Sequence, residues 1–410
     1  MKEFKDKEKL PEGWKRVKLG EVIIENIKSP FKVEDADNSG VYPFFTSGEN
    51  VLKHSKFLVD GENLFLSTGG TAYVKYHKGK ASYSADTYSL KTKENTKLIF
   101  YILDKSVNRI TYRYFIGSGL EHLQKDDFKR NFQFAIPENP IEQQKIAEIL
   151  ETVDKAIEKT DKIIEKYKRI KQGLMQELLT KGIDEEGNIR SEKTHKFKDS
   201  PVGRIPVEWE VKRLGEVGKI KRGASPRPID NPIYFTEPDK GRAWIRIEDI
   251  AKSVKYIDST RQYLSPYGER KSVKVACGEI IMSICATIGK PAIVRVEACI
   301  HDGIVAFKNL SNNVNKEYLY YFSSFSENDI IKLGQTGTQG NLNTSIVNNI
   351  LFPLPPLPEQ QRIAEILSQV DKAIEKEQNY KEKLKRLKQG LMEDLLTGKV
   401  RVNNLINERF

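Results

Sequence analysis

The feature that most constrains this chain is an internal copy of one helical segment. Residues 142–180 read EQQKIAEILETVDKAIEKTDKIIEKYKRIKQGLMQELLT, and residues 359–397 read EQQRIAEILSQVDKAIEKEQNYKEKLKRLKQGLMEDLLT. The two are identical at 27 of 39 positions at a constant offset of 217. Apolar residues recur three and four apart in both copies. The first carries Ile146, Leu150, Val153, Ile157, Leu174 and Leu178; the second carries Ile363, Leu367, Val370, Ile374, Leu384, Leu387, Leu391 and Leu395. That spacing is the stripe of a long helix burying one face. The simplest partner for each stripe is the other, which predicts an antiparallel coiled coil.

A chain of 410 residues is long enough for two or more domains with separate cores. Its formal net charge of +11, with 30% charged residues, has two readings. The surplus can be lysine solvating two long helices, or it can mark a polyanion partner, most often nucleic acid. No apolar run approaches the ~18 residues of a membrane span, and Met1 to Leu10 is charged throughout, so a soluble, cytoplasmic protein is expected. Cys277, Cys285 and Cys299 are odd in number and form no CxxC pair, which suggests neither a disulfide framework nor a metal site. Cys285, in the apolar run Glu279–Ala286, reads as a small core residue.

The duplication extends beyond the helices. Trp14 with Leu19-Gly20-Glu21-Val22 matches Trp209 with Leu214-Gly215-Glu216-Val217 at an offset of 195. Gly61-Glu62 and the apolar run after it match Gly278-Glu279 and its run, back at 217, so the second copy carries extra residues early on. A period this long, present twice, indicates two domains and not a solenoid. The segments are a first globular domain (1–140), a central helix (141–181), a linker (182–205), a second globular domain (206–357) and a C-terminal helix with its tail (358–410). Short branched or aromatic runs predict strands at Asn63–Ser67, Tyr73–His77 and Thr87–Lys91, and at Glu279–Ala286, Ala292–Val296 and Ile304–Lys308. Lys97–Ile110 and Lys316–Leu333 carry helical spacing, while Gly117-Ser118-Gly119 and Gly334–Asn343 read as loops. Each domain is therefore mixed α/β, of α+β character. Proline before each long helix and glycine after it (Gly182, Gly398) mark the helix ends. Residues Lys181–Ile205 read as an exposed connection.

Three patterns invite an enzymatic reading, of a stand-alone DNA methyltransferase or nuclease. Phe115-Ile116-Gly117-Ser118-Gly119 fits an FxGxG cofactor loop, but it follows the polar, aromatic Arg109–Tyr114 where a buried strand is needed. Asn231-Pro232-Ile233-Tyr234 is one residue short of NPPY and lies in the other half of the chain. Asp239 with Glu269 and Lys271 fits a nuclease pattern so permissive that chance supplies it. No GxxxxGK[ST] loop occurs, and His301-Asp302 has no nucleophile in register. No catalytic residue is assigned.

Basic and aromatic residues do interleave in both domains. The candidates for DNA contact are Lys53, Lys75, Lys78 and Arg113 in the first, and Lys221, Arg222, Arg227 and Arg246 in the second. Phosphate contacts position a protein on DNA, whereas side chains reaching base edges carry sequence information. A third reading, a coiled-coil scaffold with incidental basic charge, predicts no steep salt dependence of DNA affinity.

In this arrangement the chain resembles the specificity (S) subunits of type I restriction–modification systems over nearly its whole length. The resemblance rests on the Trp…Leu-Gly-Glu-Val openings and the Glu142-Gln143 and Glu359-Gln360 helix starts. It also rests on the Leu174–Thr180 and Leu391–Thr397 helix ends, and the link Phe197-Lys198-Asp199-Ser200-Pro201. Pro140-Ile141-Glu142 departs from the proline-rich entry seen at Pro356–Gln360. The resemblance implies two target-recognition domains with internal pseudo-two-fold symmetry, each reading half of a split double-stranded DNA site. It implies a helix pair that sets the spacing and docks two methyltransferase (M) subunits, and restriction (R) subunits beyond them. No cofactor is implied for this chain; S-adenosylmethionine, ATP and Mg2+ would sit on the partners. A 39-residue helix spans roughly 58 Å at ~1.5 Å per residue, long enough to hold two domains about one turn of DNA apart.

Overall fold

The computed structural model describes residues 10–335, 341–403 and 405. The chain divides into two compact units. One contains Met1–Lys162 and Gln378–Phe410, the other Ile163–Glu377. Each unit thus takes one globular domain and part of each long helix.

The long helices run Pro140–Leu178 and Leu357–Leu395, 39 residues each. Pro140 sits at the first position, where its missing N–H and fixed φ cost nothing. Within the first unit Asp154 pairs with Lys388 and, two turns on, Asp161 pairs with Lys381. Moving forward along one helix moves backward along the other, so the pairing is antiparallel. Within the second unit Lys171 of the first long helix pairs with Asp371 of the second.

The apolar stripes bury more than each other. Ile146 and Leu150 join Met392, Leu395 and Leu396 inside the main core of the first unit, together with Trp14, Leu98 and Ile136. Leu178 joins Ile363 and Leu367 inside the main core of the second, with Trp209, Tyr318 and Phe352. Leu391 and Leu174 pack against these two cores. Val153, Ile374 and Leu384 are buried, whereas Ile157 and Val370 are half-buried. Leu387 departs from expectation at 51% exposed. The stripe runs Leu384, Lys388, Leu391, Leu395, so the inward position is a lysine that reaches Asp154.

The first globular domain carries a four-stranded antiparallel sheet in the order Ile23–Glu25, Thr87–Thr92, Glu62–Ser67, Val74–Lys78. A smaller sheet orders Leu52–His54, Tyr42–Phe45 and Ser82–Tyr83, the last two parallel. The second domain repeats and enlarges this plan. Its five-stranded sheet orders Lys219–Arg222, Ile304–Lys308, Ile280–Ser283, Pro291–Val294 and Tyr256–Ile257. Its other sheet orders Phe235–Thr236, Gln262–Leu264, Arg242–Ile245, Ala298–Ile300 and Val273–Val275. In both domains the opening strand pairs with the strand that feeds the long helix, Trp14–Lys18 with Gln133–Pro137 and Glu210–Arg213 with Leu351–Leu354.

The expected helices are each two. Thr96–Lys105 and Val107–Tyr114 break at Ser106; Lys316–Phe325 and Glu327–Gln335 break at Ser326. Both serines sit near φ −90°, ψ 0°, outside the helical well. The loop expected at Gly334–Asn343 lies partly outside the described residues. The connection after the first long helix is more ordered than its composition suggests. Ile183, Arg190 and Ile205 are buried, and Phe197–Ser200 pairs with Gly203–Pro206 as a hairpin.

Two glycines explain the punctuation at the helix ends. Gly182 has φ +66°, and a Cβ there would collide with Glu359 and Trp209. Gly398 has φ +67°, and a Cβ would come within 2.6 Å of Pro11 and 3.0 Å of Trp14. Only glycine meets both the left-handed turn and the close packing. Each long helix also places a buried glutamate in its first turn, and Glu359 lies against Gly182. Glu359 pairs with Arg190, accepts from Trp209 Nε1 at 3.1 Å and from Ile183 N at 3.0 Å. Glu142 pairs with Arg401 at 2.7 and 2.9 Å. The next residue ties in the globular domain. Gln143 accepts from Asn95 N and donates to Pro137 O, while Gln360 accepts from Asn315 N and donates to Pro355 O. The repeated Glu-Gln is therefore a fastening of domain to helix. Ile141, at the departure from the proline-rich entry, is exposed, so the change costs no packing.

Candidate nucleic-acid interface

Three of the four candidates in the second domain come together. Arg222 ends the strand Lys219–Arg222 and its Nε donates to Asp302 O at 2.7 Å. Arg227, in the following loop, donates from Nη2 to Asp302 Oδ2 at 2.8 Å, and its own carbonyl accepts from Tyr234 OH. Arg246 leaves the strand Arg242–Ile245 and donates from Nη1 to Gln262 Oε1 at 3.0 Å, its guanidinium 5.6 Å from the Trp244 ring centre. The fourth candidate, Lys221, is exposed one residue before Arg222 on the same strand, hence on its opposite face.

His301 and Asp302 lie at the centre. Burial holds the His301 imidazole below its ordinary pKa against the pull of Asp302, and Arg246, Arg227 and Arg222 push it further down. Burial alone would raise Asp302, but His301 and the bonded Arg227 hold its carboxyl below the usual range. The imidazole is thus biased to neutral, with Nδ1 3.1 Å from Asp302 Oδ1 and accepting from Gly303 N at 2.9 Å. Asp302 offers one side-chain and one backbone oxygen to two guanidinium groups, both on exposed side chains. The arrangement presents oriented arginine donors outward, the chemistry that reads guanine edges or grips phosphate.

The candidates of the first domain stay apart. Lys53 is exposed on the edge strand Leu52–His54. Lys75 folds back to donate to Gly48 O, and burial lowers its pKa. Lys78 pairs with Glu62 at 3.2 Å, at the other end of the strand Val74–Lys78. Arg113 is exposed, its guanidinium 5.7 Å from the Tyr114 ring centre.

Strand pairing identifies what the first domain places where the second has its arginines. Phe44 lies opposite Ser82 as Trp244 lies opposite Cys299. Thr46 therefore answers to Arg246, and Ser84-Ala85 to His301-Asp302. Glu25 lies opposite Leu90 as Ile220 lies opposite Phe307, so Ile27 answers to Arg222. Hydroxyls dominate this end. Ser84 and Thr87 meet at 3.0 Å, Thr87 donates to Phe45 O at 3.1 Å, and Thr68 and Ser47 both donate to Asp86 O.

Of the three enzymatic patterns, Asn231–Tyr234 borders the cluster through the bond from Tyr234 OH to Arg227 O, and the other two are accounted for by their own surroundings. Phe115–Ile116 is a strand that follows a helix and pairs with His122–Leu123, so Gly117-Ser118-Gly119 turns a surface hairpin. Glu269 is held by Arg242 and Lys274. Cys285 is half-buried beside the arginine cluster, Cys299 is fully buried and Cys277 is exposed. Among the described residues no helix is long and apolar enough to cross a membrane.

Residues 11–168 and 206–386 both match the family model described as the type I restriction modification DNA specificity domain. A type I restriction enzyme specificity subunit of Methanocaldococcus jannaschii, MjaVIII, is 28% identical over 97% of this chain and 95% of its own length. A second from that organism, the putative MjaX specificity subunit, is 30% identical over 85% of this chain and 73% of its own length. Among solved structures, the type I restriction–modification S subunit from M. genitalium superimposes with a TM-score of 0.65 at 14% identity, covering 94% of this chain and 97% of that one. With two matched specificity domains and a long helix pair carrying the duplicated segment, the chain belongs to the type I restriction–modification specificity subunits.

Proposed function

We propose that each globular domain reads one half of a bipartite double-stranded DNA target and that the helix pair sets the gap between the halves. The single observation that carries the reading is the gathering of Arg222, Arg227 and Arg246 around His301-Asp302 at the loop end of one domain. A bidentate arginine is the commonest specific contact to guanine, so the half-site read by the second domain contains guanine. The first domain offers hydroxyls and Lys75 at the equivalent place, and serine and threonine contact more than one base. The two halves of the target therefore differ in sequence, which makes the site non-palindromic.

In this reading the chain performs no catalysis of its own and carries no cofactor. It works in the cytoplasm with two methyltransferase subunits docked on the helix pair, and with restriction subunits in the complete complex. S-adenosylmethionine, ATP and Mg2+ belong to those partners. The ruler role follows from helix geometry. Inserting four residues into each long helix, about one turn and ~6 Å, lengthens the gap by one or two base pairs. Mapping methylated positions in DNA from cells carrying the lengthened chain and its methyltransferase partner tests it. An unchanged gap would discard the ruler.

A further inference from the structure

One side-chain arrangement, of which the helix-to-helix ion pairs are a part, occurs in both units. In the first, Tyr101 donates to Asp154 Oδ2 at 2.7 Å while Lys388 pairs with Asp154 Oδ1 at 2.7 Å. In the second, Tyr321 donates to Asp371 Oδ2 at 2.7 Å while Lys171 pairs with Asp371 Oδ1 at 2.6 Å. The lysine ammonium lies 5.4 Å from the Tyr101 ring centre in one and 5.5 Å from that of Tyr321 in the other. Both tyrosines are fully buried, and both lysines are about one-fifth exposed.

The origin of the three members gives the arrangement its meaning. The tyrosine belongs to a helix of the globular domain, Thr96–Lys105 or Lys316–Phe325. The aspartate belongs to the long helix that leaves that domain, and the lysine to the long helix that returns to it. One carboxylate thus joins three rigid elements, with a separate oxygen for each partner. Charge-assisted hydrogen bonds of this kind are short and directional, and in a buried setting they penalise any pose that leaves a partner unmatched. The apolar packing around them is non-directional and tolerates sliding. Neighbouring charges brace both joints. Lys97 pairs with Glu151 at 3.4 Å in the first unit. In the second the buried Lys255 pairs with Glu317, donates to Tyr321 OH at 2.8 Å and lies 3.9 Å from Asp371.

We propose that this duplicated tyrosine–aspartate–lysine clamp fixes the angle of each recognition domain on its helices and thereby holds the gap in the DNA target to one length. The inference rests on the bipartite reading above. Tyr101, Asp154, Lys388, Tyr321, Asp371 and Lys171 are positioning residues and need not touch DNA.

The test is methylation mapping with the full chain co-expressed with its methyltransferase partner. The chain as it stands yields a two-part motif with one gap; if it yields none, the bipartite reading itself fails. The double variant Tyr321→Phe with Lys171→Met, and its counterpart Tyr101→Phe with Lys388→Met, each remove a hydrogen bond and an ion pair and raise methylation at gaps one base pair longer or shorter by about fivefold or more, fivefold being the factor for one hydrogen bond alone. Both half-site sequences stay the same. Tyr380→Phe, an exposed tyrosine on the second long helix, leaves the gap distribution as it was. Should a double variant fail to accumulate, the single Tyr321→Phe, which keeps the packed ring, carries the test. Variants that melt earlier yet keep the single gap would reduce the clamp to a stabilising contact and overturn the proposal.

Discussion

Phe44 and Trp244 hold the same place in two copies of one sheet, yet their surroundings have diverged. Around Trp244 stand Arg246 and His301, with Arg222 and Arg227 locked onto Asp302. Around the equivalent strand end of the first domain stand Thr46, Ser47, Thr68, Ser84 and Thr87, with Lys75 folded over Gly48. The fastenings behind them correspond in position: Glu142-Gln143 and Glu359-Gln360, Gly398 and Gly182, and the two Tyr-Asp-Lys joints. A duplicated frame has kept its joints and changed the surface to which the proposed function assigns DNA reading.

The comparison is sharpest where equal joints differ in burial. Arg190 and Glu359 are 10% and 8% exposed, whereas Arg401 at the matching joint is 28% exposed. Glu359→Ala strands a buried guanidinium and the Trp209 indole N–H, at a cost of about 3–5 kcal/mol. Glu142→Ala costs less, because solvent reaches Arg401. Chemical denaturation of both variants checks this; equal losses would show that the two joints are energetically alike.

The next effect separates the reading surfaces. Arg227→Ala removes a pre-oriented donor and lowers affinity for the cognate site by about 1–3 kcal/mol, with relaxed discrimination in one half-site. Asp302→Asn leaves both arginines in place but less firmly held, and gives a smaller loss in the same half. Binding of single-base variants of the target distinguishes these outcomes from a uniform fall, which would mark Arg227 as a phosphate contact.

Thr46→Ala and Ser84→Ala in the first domain remove neutral hydrogen-bonding groups, worth about 1 kcal/mol or less each. Their effect is confined to the other half-site, and the same panel of targets reads it. The smallest effect expected is that of Leu387→Ala, within about 0.5 kcal/mol of unchanged stability, because the side chain is exposed. A loss above that in the assembled complex but not in the free chain would mark Leu387 as a partner contact.

The long helices were legible because a repeated apolar stripe with proline before and glycine after admits few alternatives. The strands at Glu62–Ser67 and Ile304–Lys308 were legible for a similar reason, from the apolar stretches Leu64–Leu66 and Ile304–Phe307. The second sheet of each domain was not, because strands such as Ser82–Tyr83 and Ala298–Ile300 are two or three residues long. Nor did the sequence show the breaks at Ser106 and Ser326, since serine is neither a strong helix former nor a breaker. At the candidate site Arg222, Arg227 and Arg246 could be picked out by composition. Their shared centre at Asp302 could not, because it lies 75 residues from Arg227 in the chain. His301-Asp302 was visible only as a catalytic pair that lacked a nucleophile. The clamps did leave a signal, since Asp154 and Lys171 recur unchanged as Asp371 and Lys388 at the offset of 217. Both point inward from helix faces where surface charge would need no repetition.

The most direct test of bipartite reading is the methylation motif of the Arg222→Ala, Arg227→Ala double variant beside that of the unaltered chain. The account predicts that one half of the motif loses its stringency while the other half and the gap are unchanged. Loss of stringency in both halves together, or in neither, would contradict it.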